Sequence, residues 1–127
     1  MSIKLVLFLF EMFIVKHFVV DFLLQTPYQY QNKHILGHPG GILHSFLHGI
    51  TSWVILGIIF EFFNSIIVVA VVVEFILHYF IDFFKMNFNI KYNLTPMNPK
   101  FWYVLGFDQL LHYLTYLGMI YFLLIAL

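Results

Sequence analysis

Four stretches of this chain, 3–26, 41–63, 65–86 and 101–126, are almost continuously apolar over more than twenty residues each. That is the length a helix needs to cross the ~30 Å hydrocarbon core of a bilayer. Between them lie a polar segment with Pro27, Pro39 and the pair Gly40-Gly41, the short turn Asn64-Ser65, and the segment Asn87 to Lys100 with Pro96 and Pro99. Short connections force antiparallel neighbours. The expected fold is therefore an all-α membrane protein, one domain over residues 1–127, built as a four-transmembrane-helix up-down bundle. The β-branched run from Ile66 to Val73 would favour a strand in water. Lipid offers the backbone no hydrogen-bond partner, so a helix is expected there too.

Composition closes the other routes. The chain is 62% hydrophobic and 9% charged, against roughly 25% charged for a globular domain, and 127 residues are too few to hide that much apolar surface from water. There is no cysteine for a disulfide scaffold and no low-complexity polar tract. Six lysines, no arginine and six acids balance to zero, which leaves no basic face for nucleic acid. The abundance of Phe, Ile, Asn and Lys without Arg suits an A+T-rich phage or bacterial genome. The first stretch contains Lys16, His17 and Asp21 and lacks a small-residue cleavage site, so it reads as a retained span and not a signal peptide.

Lysines set the expected orientation. Lys33 lies in the first connection and Lys85, Lys91 and Lys100 in or beside the third, which places those loops in the cytoplasm and both termini outside, as in a bacterial inner membrane. Tyr28, Tyr30, Tyr92, Trp102 and Tyr103 cluster at the same boundary as an aromatic belt. The sequon at Asn93 would then sit on the wrong side for modification.

Each span also carries ionisable residues, which are costly in lipid and mark sites or pathways. They recur at one spacing: His17 and Asp21, His44 and His48, His78 and Asp82, Asp108 and His112. Residues four apart share a helix face. Counted from the cytoplasmic ends at ~1.5 Å per residue, all eight fall within roughly 5 to 17 Å of the same surface, so they can converge on one site. The halves repeat as well. His17-Phe-Val-Val-Asp21-Phe matches His78-Tyr-Phe-Ile-Asp82-Phe at an offset of 61, and Leu47-His48-Gly-Ile-Thr51 matches Leu111-His112-Tyr-Leu-Thr115 at 64. Two repeated helical hairpins related by a pseudo-twofold axis along the membrane normal follow.

Five imidazoles and three carboxylates form the ligand chemistry of a divalent transition metal, zinc foremost, with iron and manganese as alternatives. Eight donors in matched halves suit two ions. Glu74 precedes His78 by one turn and Lys85 follows Asp82, continuing that stripe as a general base and a phosphate-neutralising cation. Gln25 extends the first stripe, while Thr51 and Thr115 stand one turn beyond His48 and His112 as outer partners of the ligands. Glu11 and Lys16, five apart, share no clear face, and snorkelling or local pairing accounts for them. His34 and His38 fall in a polar loop, solvated or poised as a lid. Glu61, at the outer interface, has no assigned role.

His17-x-x-x-Asp21 with Gln25, the His44 and His48 pair, His78-x-x-x-Asp82 with Lys85, and Asp108-Gln109 followed by His112 resemble an uncharacterised family of small polytopic membrane proteins of phages and bacteria, a domain of unknown function. More distantly, the repeated His-x-x-x-Asp is similar to inner-membrane metal-dependent hydrolases linked to zinc-dependent phospholipase C. The expectation is a membrane-embedded metal-dependent hydrolase, a phosphoesterase of a lipid or lipid-linked phosphate, in which two metal ions activate water and clamp phosphoryl oxygens. The alternative is a small ion or metal channel, a transporter or a holin-like protein, with Glu11, Glu74 and the stripe as its path. Membrane lipid is the expected partner, and assembly into a homo-oligomer is left open.

Overall fold

The computed structural model describes residues 1–127, and the chain is entirely helical, without strands. Helix α1 runs Ile3–Phe18 and continues into a π-helical turn, Val19–Leu23; the others are α2 (Pro27–Gln31), α3 (Pro39–Ile59), α4 (Ser65–Lys91) and α5 (Pro99–Ala126). Helix starts follow local chemistry. Pro27, Pro39 and Pro99 each occupy the first helical turn, where a missing N–H costs nothing. Asn64 and Asn98 side chains accept backbone N–H groups of Ile66 and Lys100, both at 2.9 Å. His38 caps α3 in the same way, Nδ1 accepting the Gly40 N–H at 3.0 Å.

Three helices, α3, α4 and α5, are long and apolar enough to cross a membrane. They extend the expected ranges at the loop end: α3 begins at Pro39, α4 runs on to Lys91 and α5 begins at Pro99. The first stretch differs more. Its α-helix is 16 residues long, and the remainder expected to 26 is the π turn and an irregular link into α2. The β-branched run lies inside α4, as the lipid argument requires.

Helix α1 packs against α3 and α5, α3 against α4, and α4 against α5. This makes a closed square in chain order, with α1 diagonal to α4 and α3 diagonal to α5. Those diagonals join the repeat-related helices, as a twofold axis along the bundle demands. The interior is divided by depth. Toward the termini it is filled by Leu9, Phe13, Leu56, Ile67, Ala70, Tyr116, Met119, Ile120 and Leu123; toward the loops it is filled by the histidines and aspartates. The outward surface is apolar, with Phe22, Phe84, Phe107, Ile58 and Ile125 all exposed, a surface suited to lipid.

The first connection folds over the loop end. Helix α2 lies so close to α3 that a Cβ on Gly40 would stand 2.4 Å from the Tyr28 carbonyl oxygen, so only glycine fits there. Gly37, at φ +75°, turns the chain back, and its N–H donates to the Tyr79 hydroxyl at 2.7 Å. Asn87 holds the same loop through the His34 carbonyl at 3.0 Å.

Candidate metal centre

All eight stripe residues meet inside the square. Seven are buried, and Asp21 is close to it, with a side chain 10% exposed. Asp21 Oδ1 lies 2.8 Å from His48 Nε2 and 3.0 Å from His44 Nε2, while its Oδ2 lies 3.0 Å from His17 Nε2. His44 Nε2 is 3.2 Å from His78 Nε2. Where α4 meets α5, His112 Nε2 is 3.4 Å from both Asp82 Oδ1 and Asp108 Oδ1. The five rings are packed together, His48 stacking on His78 with centroids 3.7 Å apart.

Three groups of these donors are close enough to hold a metal ion: Asp21, His44, His48 and His78; His17, His78 and His112; and Asp82, Asp108 and His112. The donor chemistry fits. Ligands bonded at about 2.0 to 2.1 Å in a tetrahedral site stand about 3.3 Å from one another, and the separations above run from 2.8 to 3.4 Å. The Nδ1 atoms of His44, His48 and His78 are buried without hydrogen-bond partners, so those rings make their polar contacts through Nε2 inside the cluster. The repeat offsets carry Asp21, His44, His48 and His78 onto Asp82, Asp108, His112 and His17. The first group therefore maps onto the third together with His17, which itself groups with His78 and His112, and aspartate replaces histidine at one position.

Several partners were not visible in the sequence reading. Lys16, expected to snorkel or pair with Glu11, is instead buried and ion-paired with Glu74 across the bundle. It also donates to the His48 carbonyl at 2.9 Å and lies over the Tyr116 ring. Glu74, expected to continue the ligand stripe as a base, is engaged by that lysine on the terminal side of the rings, outside the metal-capable groups. Lys33, which in the sequence served only to orient the first loop, is buried, with Nζ 2.7 Å from Asp82 Oδ2. Lys85 is partly exposed, its ammonium 3.4 Å from Asp108 Oδ2.

Two further residues brace His17: Tyr116, whose hydroxyl lies 2.8 Å from Nδ1, and Gln109, whose Oε1 lies 3.0 Å from Nε2. Gln109 also donates to Asp108 at 3.0 Å. Its place beside Asp108 was a signal available in the sequence. Thr51 and Thr115 do not reach the cluster; each donates to the carbonyl four residues back on its own helix. Gln25 likewise bonds the Asp21 carbonyl at 3.0 Å. His38 is spent as a helix cap.

Residues 9–127, nearly the whole chain, match a family described as a protein of unknown function, DUF3307. The chain belongs to the DUF3307 family. The match takes in all four residue pairs of the cluster, so the centre described here lies wholly within the DUF3307 region. Comparison with curated proteins and with solved structures brings no match.

Proposed function

We propose that this DUF3307 chain is a four-span membrane enzyme, a metal-dependent phosphoesterase acting on a lipid or lipid-linked phosphate. The observation that carries the reading is the convergence of five histidines and three aspartates at 2.8 to 3.4 Å, buried beside two lysines, Lys33 and Lys85. Asp21, His44, His48 and His78 would hold one divalent ion, and Asp82, Asp108, His112 and His17 the other. Zinc suits the first set, since imidazole and carboxylate are both among its ligands. Such ions supply Lewis-acid polarisation of a phosphoryl oxygen and lower the pKa of water.

The chain's own residues do the rest. Lys33 and Lys85 bring positive charge to the mouth, where a phosphate would stand, and Lys33 arrives on a loop tied to α4 through Tyr79 and Asn87. Water adds to phosphorus, the ester P–O bond breaks, and the leaving oxygen takes a proton. Glu74 holds Lys16, which donates to the His48 carbonyl, and so acts as a positioning residue through that lysine, while Tyr116 fixes His17. The π turn carrying Asp21 is consistent with a site, because such turns gather where a side chain must be re-aimed.

The apolar packing toward the termini weighs against the channel alternative. An ion path needs polar partners across the whole thickness, and beyond Lys16 and Glu74 the interior is Leu9, Phe13, Leu56 and Ile67. The loop end is proposed to face the cytoplasm. Elemental analysis of purified protein is expected to find about two equivalents of transition metal, and phosphate release from a lipid phosphate in mixed micelles should stop on chelation. A protein that takes up no metal on reconstitution defeats the reading. A reporter fused to the C-terminus is expected outside the cytoplasm; a cytoplasmic readout reverses the orientation.

A further inference from the structure

Between α4 and α5 the outer surface of the square is not flush. A groove of about 620 Å³ lies toward the termini, floored by Ala70, Leu77, Ile81, Leu111 and Gly118. A second of about 560 Å³ lies toward the loops, between Phe84, Phe88, Tyr103 and Phe107. They share Leu77, Ile81 and Leu111 and are therefore one continuous channel along the lipid-facing side. Its loop end is lined by Lys85 and Asp108, the pair at the mouth of the metal centre. It is the place where an apolar track open to the bilayer runs into the buried charge.

The geometry points to this groove as the binding site for the hydrocarbon chain of a long-chain lipid phosphate of the polyisoprenyl class, with its phosphate at Lys85 and its chain lying between α4 and α5 toward the termini. The inference rests on the phosphoesterase reading for what happens at the headgroup, but the groove stands on its own geometry. Two observations choose the occupant. The loop end of the groove is lined by one ammonium, that of Lys85, which matches a single anionic headgroup, and the only hydroxyl along the terminal part of the track, that of Thr115, is spent on the Leu111 carbonyl. The track follows α4 from Val69 to Phe88 and α5 from Tyr103 to Phe122. At 1.5 Å per residue that is about 28 Å, close to the full hydrocarbon thickness of ~30 Å. The chain of an ordinary phospholipid fills one leaflet, whereas a chain that fills this groove crosses the midplane.

Gly118 offers a clean test, because a Cβ added there meets nothing within 4 Å and points into open groove. The protein is placed in nanodiscs with a photoreactive polyisoprenyl phosphate carrying its reactive group near the chain end. Labelled peptides are expected from 111–122 and 69–81. Gly118→Phe is expected to cut labelling about tenfold while metal content stays at the wild-type value, and Gly118→Leu to cut it less. Lys85→Gln is expected to weaken labelling severalfold. Labelling spread evenly around the bundle overturns the proposal, as does labelling unchanged in Gly118→Phe. Equal competition by dioleoyl phosphatidic acid, or exclusion of the probe because a second copy of the chain covers the groove, overturns it too. Labelling in the groove with no phosphate release would instead defeat the enzyme reading and leave the groove standing; phosphate release untouched by Gly118→Phe would do the reverse.

Discussion

The two halves of the square carry the same His-x-x-x-Asp pair on different backbones. In the second half His78 and Asp82 sit in uninterrupted α-helix; in the first, His17 ends the α-helix and Asp21 rides on a π turn. The helices that complete the halves differ as well, His44 facing the cluster from α3 where α5 supplies Asp108. The connections differ most. The α4–α5 link is a short turn, whereas the α1–α3 link folds into α2 and delivers Lys33 to Asp82. The two halves thus share donor positions but not donors: one group is richer in imidazole and the other in carboxylate, with a lysine placed against it.

The largest expected effect separates the two aspartates. Asp82→Ala leaves Lys33 buried without its counter-charge, and losing one partner of such a pair costs about 3–5 kcal/mol. Asp21 has only imidazoles around it, so Asp21→Ala is expected to cost about 1–3 kcal/mol. Thermal unfolding in detergent compares them, and equal losses would mean that Lys33 is not a true partner of Asp82.

Next comes the pair that joins the halves. Lys16 and Glu74 have Leu77 and Phe13 as their repeat counterparts, so this ion pair occurs once and is not duplicated. Glu74→Leu or Lys16→Met alone is expected to destabilise by about 3 kcal/mol and the double substitution by about 1 kcal/mol or less, since an apolar replacement of both partners removes the desolvation cost. A double-mutant cycle reads the coupling; additive losses would show the two charges to be independent.

A smaller effect should follow from making the donor sets alike. Asp108→His gives both groups three imidazoles and one carboxylate. Zinc titration of wild-type protein is then expected to show two steps of unequal affinity and the variant a single step, while both take up about two equivalents. A two-step curve that survives the substitution would locate the inequality elsewhere. The smallest effect concerns the strap on the first loop. Tyr79→Phe removes the hydrogen bond to the Gly37 N–H and is expected to cost about 1 kcal/mol, seen as faster amide exchange in residues 33–38 with α4 unchanged.

Much of this arrangement was legible before any coordinates. Apolar run length announced the helices, and a spacing of four placed each polar pair on one face, because both follow from helix geometry that neighbours cannot alter. Contacts between helices were not legible. Lys16 and Glu74 are 58 positions apart and Lys33 and Asp82 are 49 apart, so their meeting depends on how each helix is rotated in the square. Sequence proximity suggested Glu11 for Lys16, yet five residues turn a helix by about 500°, which puts the two on different faces. Helix α2 left a usable signal in Thr26-Pro27-Tyr28-Gln29, where the Gln29 side chain accepts the Thr26 N–H at 3.3 Å. The π turn over Val19–Leu23, whose Asp21 meets His44 and His48 of α3, left none.

The apolar packing around Leu9, Phe13, Leu56 and Ile67 has a bioenergetic consequence. Across a bilayer this packing would be an insulator in series with the polar centre, and under the proposed reading a proton or metal ion that reaches the histidines would leave by the side from which it came. Under the same reading, turnover at the centre would neither draw on nor dissipate an ion gradient across the membrane. Abundant protein would therefore load the host with no leak, and the metal supply and acidity of a single compartment would govern its occupancy.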